Sequence, residues 1–169
     1  MKIFLSKGST FLAVALACLL AGPPALSQEG DDREAIQASL RALHQHQADL
    51  AELAEERAED DEVVQLANTL RRDHAILDEW LAEASENSDT PHDEHALHDR
   101  EAFEALRELE GEAFDETFLS YQMELHMAAI EYLEQNRPKG DEQLDEFNNH
   151  LLVTHETLLV NSELIDSLL

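Results

Sequence analysis

Apolar residues recur at helical spacing along most of the chain beyond residue 30. In residues 60–84, Val63, Ala67, Leu70 and Leu77 follow one another at steps of four, three and seven. This spacing turns one face of a helix towards a core. Comparable patterns predict three more helices, over residues 32–57, 112–136 and 141–169. The pattern predicts an all-α protein with four long helices and no strand.

The connections between these helices predict their arrangement. Short links join the first helix to the second and the third to the fourth, so each pair is expected to form an antiparallel hairpin. Residues 85–111 cross between the hairpins. In this segment Thr90 and Pro91 supply an N-cap and a first-turn proline for an extra helix that ends near Gly111. We predict an up-down-up-down four-helix bundle with an extra crossover helix between helices 2 and 3.

The first 27 residues have the features of a cleaved secretory signal. Two lysines precede an apolar run over residues 11–20, and small residues follow up to Ser27. About ten apolar residues are too few to span a bilayer, which takes about 20. A lipoprotein signal that ends at Cys18 is a weaker alternative, because more apolar residues follow this cysteine. We expect residues 28–169 to form one exported domain, periplasmic or secreted, with no membrane span after cleavage.

The charge balance narrows the classes of partner. The chain has 38 acidic and 11 basic residues, and its formal net charge is −27. Such a surface repels nucleic acid and anionic lipid headgroups, so we predict no nucleic-acid partner. The acidic surface could attract cations or basic partner proteins. The alternative is that it only keeps the protein solvated in salty or acidic surroundings. Because Cys18 is the one cysteine and lies in the predicted signal, thiol chemistry and cysteine-bound metal are excluded for the exported domain.

Three histidines lie on apolar helix faces, where leucine packs better. They are His74, His126 and His155, each about 14 residues from a predicted helix start, or ~21 Å along its helix. In an up-down-up-down bundle they fall within about one turn of each other. Crowded neutral imidazoles are suited to binding a metal ion. We predict a divalent transition metal here, zinc or copper; the alternative is three hydrogen-bonded polar core residues.

The surroundings of these histidines argue against a di-iron centre and against catalysis. Di-iron bundles use a Glu-x-x-His motif, whereas Arg71, Met123 and Leu152 stand three residues before the histidines. An enzyme also needs an open coordination position and a general base or a substrate cleft. No motif supplies these, so we predict no catalytic residues and expect the protein not to be an enzyme.

The other histidines and the single tryptophan are assigned lesser roles. His92, His95 and His98 are spaced three residues apart, so neighbours among them could bind a surface ion. The alternative is that they form a polar helix face without a ligand. Partial exposure is predicted for three others, namely His44, His46 and His150. Trp80 is predicted to pack under the crossover helix rather than to bind a ligand.

Several motifs resemble an exported bacterial family known as domain of unknown function 4142. The resemblance spans residues 35–169 and rests on Asp73-His74, on Gly111-x-x-Phe114-Asp115, and on the later histidines His126 and His155. It implies a ferritin-like four-helix bundle, export, and importance of the three histidines, but no substrate. The family's helix 1 often carries a glutamate where this chain has Gln47, which makes Gln47 and His44 further candidate ligands. Asp115 is predicted to act structurally, by satisfying free N–H groups and favouring the helix dipole.

Together these features predict an exported ferritin-like bundle that binds a divalent metal ion through His74, His126 and His155. The alternative is a metal-free acidic bundle that acts by contact with an unknown protein partner, for instance in envelope stress. In that alternative the histidines are structural or respond to pH. A hydrolytic or redox enzyme is the least supported interpretation.

Overall fold

A computed structural model describes residues 26–84, 99–139 and 145–169. Three predicted features lie outside these residues: most of the signal, the helix start at Pro91, and the trio His92, His95 and His98. Within them the chain forms helices joined by turns, which confirms the all-α class. The helices are α1 (Leu26–Arg57), α2 (Asp61–Ala84), α3 (Arg100–Leu106), α4 (Glu112–Asn136) and α5 (Glu146–Asp166). In the same residues, no helix is long and apolar enough to cross a membrane.

Polar residues at the helix ends set these boundaries. The side chain of Asp99 accepts hydrogen bonds from the first free N–H groups of α3, and Asp145 does the same for α5. The predicted crossover helix was expected to end near Gly111, but α3 ends earlier, at Leu106. Gly111 instead stands at the N-cap of α4 with a φ of 65°, a left-handed conformation that favours glycine.

The four long helices enclose one apolar core. α1 packs against α2 and α4, and α5 packs against the same two helices. The core contains leucines from all four long helices and the stacked rings of Phe114 and Phe118. The short helix α3 lies against α4, where its buried Leu106 joins the core and Phe103 packs on the ring of His46 at 4.5 Å between centroids.

The helix directions differ from the predicted up-down-up-down order. The Gly111 N–H at the start of α4 donates to the Arg57 carbonyl at the end of α1, at 2.8 Å. At the opposite end, Arg33 near the start of α1 forms an ion pair with Asp145 at the start of α5. Therefore α1 and α5 run one way and α2 and α4 the other, an up-down-down-up order.

The length of the connecting segment explains this error. Helix α2 has 24 residues, or ~36 Å, and residues 85–111 are enough to return along this whole length. Sequence patterns do not determine at which end so long a connection begins the next helix. One long crossover is also the connectivity of ferritin-like bundles, although the ferritin-like assignment itself stays a prediction.

Candidate functional site

Four histidines, one from each long helix, meet inside the bundle. The rings of His44 in α1 and His74 in α2 are 5.0 Å apart between centroids. His74 lies 5.5 Å from His126 in α4, and His44 lies 6.4 Å from His150 in α5. His44 is 3% exposed and the other three are 0% exposed. We refer to these four residues as the histidine cluster.

Each ring of the cluster uses one nitrogen in a hydrogen bond. The Nδ1 atoms of His44 and His74 are 2.9 Å apart, so one of them donates to the other. His126 donates from Nδ1 to the Gln122 carbonyl at 2.9 Å, and this leaves its Nε2 with a free lone pair. The Nε2 of His150 lies 3.2 Å from the Thr154 hydroxyl.

The second nitrogen of each ring is buried without a partner. These atoms are Nε2 of His44, His74 and His126 and Nδ1 of His150. Buried polar atoms without a hydrogen bond destabilise a fold and are uncommon in native proteins. Four such atoms in one cluster therefore require a physical explanation.

The protein interior keeps all four rings uncharged at neutral pH. Burial lowers the pKa of His44 to about 3, and the neighbouring His150 adds to the effect. Burial lowers the pKa of His126 to about 4, against the hydrogen bond to Gln122, and also lowers that of His150 to about 4. The pKa of His74 lies well below 6.5, first because of burial and then because of His44 and His126. Each ring thus retains one unprotonated nitrogen.

The structure brings together only part of the predicted ligand set. His74 and His126 are neighbours, and His44 joins them. His155 is 4% exposed, but in the described part of the chain no ring contact links it to another histidine. Its Nδ1 lies 3.6 Å from a Glu156 oxygen and its Nε2 lies 4.0 Å from a Glu134 oxygen. The predicted common level assumed that α2 and α5 run in parallel, which they do not.

The predicted partial exposure of three histidines is wrong. His44, His46 and His150 are 3%, 5% and 0% exposed. The reason is that α1 and α5 each pack against both α2 and α4, so their buried faces are wider than the leucine seam that the sequence reveals. The Nε2 of His46 lies 2.8 Å from the Tyr121 hydroxyl. Trp80, predicted to pack under the crossover helix, contacts the edge of His150 at 5.0 Å between centroids.

Gln47 forms a closed pair with Gln122 next to the cluster. Each amide donates to the other's oxygen at 3.0 Å, and both side chains are buried. The Gln122 carbonyl also accepts the hydrogen bond from His126, so the pair adjoins a cluster residue. Because both amide oxygens of the pair accept a hydrogen bond, Gln47 is less available as a ligand than the unpaired imidazoles.

Replacing Gln47 with alanine should lower the free energy of unfolding by about 2 kcal/mol, because the Gln122 amide is left buried without its partner. Chemical denaturation of Q47A, Q122A and the double variant Q47L/Q122L measures this. The double leucine variant should lose less than the two single losses combined, since it leaves no unpaired amide. Purely additive losses would contradict the pairing.

Asp115 binds a neighbouring segment, whereas the start of its own helix has no side-chain cap hydrogen bond. Its carboxylate accepts hydrogen bonds from the Glu59 N–H at 3.2 Å and from the Asp60 N–H at 3.0 Å. These donors belong to the link between α1 and α2. Asp115 therefore ties the start of α4 to the start of α2 and is far from the histidine cluster.

The described residues do not form a metal coordination sphere. Across residues 26–84, 99–139 and 145–169, no three histidine, cysteine, aspartate or glutamate side chains are grouped so that they could hold a metal ion. The cluster contains a residue type that binds metals, but its members are not arranged as a ligand set. The metal-binding role of His74, His126 and His155 therefore stays a prediction.

Comparison with known proteins gives one family and one fold relative. A family model described as "Domain of unknown function (DUF4142)" matches residues 19–159. The solved structure of "putative secreted protein DUF305" from Streptomyces coelicolor superimposes with a TM-score of 0.65 at 14% identity, covering 80% of this chain and 90% of that one. At this identity the likeness concerns the fold alone. No curated protein matches the chain.

Proposed function

Since the chain belongs to the DUF4142 family, whose name assigns no activity, we propose a function from the histidine cluster itself. The protein binds a divalent transition metal ion, zinc or copper, through His44, His74 and His126. One observation carries this proposal: three adjacent imidazoles each bury an Nε2 atom that has no hydrogen-bond partner. A neutral imidazole has one nitrogen with a lone pair, and this nitrogen is a suitable ligand for these metals. His126 has this lone pair on Nε2. Of His44 and His74, the ring that accepts the hydrogen bond at Nδ1 carries its proton on Nε2 and must change tautomer to bind a metal through that atom.

The surroundings of the three rings favour metal over protons. Their pKa values lie far below 7, so a metal ion does not compete with bound protons at neutral pH. The Gln122 carbonyl holds His126 in the tautomer with a free Nε2, and backbone carbonyls commonly orient metal-binding histidines in this way. Binding requires the rings of His44 and His74 to turn and to give up the hydrogen bond between their Nδ1 atoms.

This ligand set differs from the predicted one. It exchanges His155, which lies near Glu134 and Glu156, for His44. With the predicted signal over residues 1–27, the role we propose is storage, buffering or sensing of the ion outside the cytoplasm. The acidic surface, with a net charge of −27, attracts cations towards the bundle.

We expect the mature protein, purified without chelator, to contain or take up about one zinc or copper ion per chain. Elemental analysis and titration with each metal measure this. At a free metal concentration 100 times the Kd, binding should stabilise the fold by about 2.7 kcal/mol. The conservative variants H44Q and H126Q should each lose most of this affinity.

The matched control is H155Q, which changes a buried histidine outside the proposed ligand set. It should retain the metal. A wild-type protein that binds neither ion would overturn the proposal. Loss of metal in H155Q but not in H44Q would instead support the originally predicted ligands.

A second candidate is a metal-free bundle that acts by protein contact and responds to pH through its histidines. The hydrogen bond between His44 and His74 favours it, because two ring nitrogens are satisfied there without a metal. The two candidates differ in their response to chelation: a metal-binding protein loses thermal stability in the presence of a chelator, whereas a metal-free bundle does not.

A further inference from the structure

Helices α2 and α5 leave an apolar groove open on the surface of the bundle. Its cavity volume is about 640 Å³. The side chains that form its apolar wall are Ile76, Leu77, Trp80, Leu152, Val153 and Val160. Ile76 is 60% exposed and Val160 57%, although large apolar side chains are more stable when covered. An apolar groove between two helices is the kind of surface that receives a third helix.

A buried amide in the wall of this groove has no partner. Asn161 lines the groove and is 0% exposed, yet neither its Nδ2 nor its Oδ1 makes a hydrogen bond. The NH2 group and the oxygen of this amide are therefore both unsatisfied inside the bundle, and because they are closed to solvent the side chain must turn towards the groove to pair with an occupant. A single buried asparagine on an apolar helix face commonly pairs with an amide of the neighbouring helix and sets its register.

The charges around the groove are almost all negative. Residues 73–84 of α2 and the whole of α5 contain carboxylates and no lysine or arginine. Two of these carboxylates, Asp73 and Glu156, line the groove itself. Arg72 pairs with Asp73 at 3.4 Å, but Glu156 has no arginine or lysine partner among the described residues. The edges of the groove therefore complement positive charge.

We propose that this groove binds an amphipathic helix of a basic partner protein. The apolar stripe of that helix covers Ile76, Val153 and Val160, an asparagine or glutamine within the stripe pairs with Asn161, and flanking lysines or arginines face Asp73 and Glu156. A second copy of this chain fits less well, because it would bring another acidic α2 and α5 against the same edges. The proposal does not depend on metal binding.

A synthetic helix tests the proposal on the mature protein. The probe is a peptide of ~20 residues, about 30 Å when helical, with a leucine stripe, one central asparagine and lysines on its other faces. Trp80, the single tryptophan of the chain, lines the groove, so its fluorescence reports occupancy. We expect saturable binding that weakens with added salt. A peptide with leucine in place of the asparagine should bind about tenfold more weakly, because Asn161 then stays unpaired.

Three protein variants separate this groove from other surfaces. V160E places a charge in the groove and should abolish binding. M127E changes another exposed apolar residue, 54% exposed on α4 and outside the groove, and should leave binding unchanged. N161L should remove the preference for the asparagine peptide. Because it adds no charge and removes only one polar group, this variant tests the groove even if V160E fails to fold.

Three outcomes would overturn the proposal. Equal binding of a peptide with glutamates in place of the lysines would reduce the site to non-specific apolar contact. Unchanged binding by V160E would locate the peptide elsewhere. Self-association of the wild-type protein in sedimentation, lost in V160E but not in M127E, would make a second copy the occupant.

Discussion

Between pH 7 and pH 5 the metal-free protein should lose most of its stability. The pKa values of His44, His126 and His150 in the folded state are about 3, 4 and 4, and that of His74 is also well below 6.5. In the unfolded chain these groups titrate near 6.5. Below pH 6.5 the unfolded state therefore binds protons that the folded state does not, and stability falls as the pH falls.

The size of the expected loss in stability follows from the same linkage between proton binding and unfolding. Each histidine that gains a proton only on unfolding contributes up to about 1.4 kcal/mol per pH unit, or about 2 kcal/mol by pH 5. Four such residues together approach the whole stability of a typical domain, 5 to 15 kcal/mol. No carboxylate is among the groups that shift these four pKa values, so none offsets the effect. Most acidic side chains titrate nearer pH 4, which leaves the interval from pH 7 to 5 to the histidines.

Denaturant unfolding at several pH values between 7.5 and 5, with a chelator present, measures this dependence. The chelator is needed because acid also displaces metal from imidazole. The variant H126Q keeps a hydrogen-bond donor but cannot titrate, and its stability should fall less steeply, by up to about 1.4 kcal/mol per pH unit. A wild-type stability that is constant from pH 7 to 5, or an unchanged slope in H126Q, would contradict the burial of neutral rings.

The helices could be predicted from the sequence because their signals are local. The 3.6-residue apolar pattern predicted α4 over residues 112–136, as the structure has it. The start of α1 was missed by six residues, since Leu26–Asp31 has no regular apolar face. The direction of α4 was also missed, because a long connection can begin the next helix at either end of the bundle.

The histidine cluster could be predicted only in part, since burial depends on which helices meet. His74 and His126 stand on clear apolar seams and were found. Partial exposure was predicted for His44 and His150, although each lies between two packed helices in the fold. The reversed direction of α5 relative to α2 brings His150, rather than His155, into contact with the other rings.

The groove and the histidine cluster are neighbours, which a sequence pattern does not reveal. Trp80 lines the groove with its side chain and touches the edge of His150 inside the bundle. Helix α5 thus contributes to both regions. His150 contacts the other histidines, and Asn161 lines the groove. Because one tryptophan contacts both regions, its fluorescence should respond to changes at either. V160E, which changes the groove, and H44Q, which changes the cluster, separate the two responses.

Replacing Asp115 with alanine should lower the free energy of unfolding by about 3 kcal/mol. The carboxylate accepts hydrogen bonds from the backbone N–H groups of Glu59 and Asp60 while it is only 9% exposed. Hydrogen bonds to charged groups contribute about 1.5 to 3 kcal/mol each. Denaturant unfolding at pH 7 measures the loss. The variant D115N keeps an acceptor oxygen and should lose about half as much.

The size of this loss also tests the order of the helices. In an up-down-up-down bundle, Asp115 would lie at the far end from the α1–α2 link and could act only on the first turn of its own helix. Loss of such a cap lowers the free energy of unfolding by about 1 kcal/mol. In the up-down-down-up order, Asp115 instead connects the two helical hairpins through its hydrogen bonds to Glu59 and Asp60, so its loss should cost more. The neighbouring E116A, which removes an exposed carboxylate from the same turn, should have almost no effect. A D115A loss near 1 kcal/mol, or one matched by E116A, would contradict the contact between α4 and the α1–α2 link.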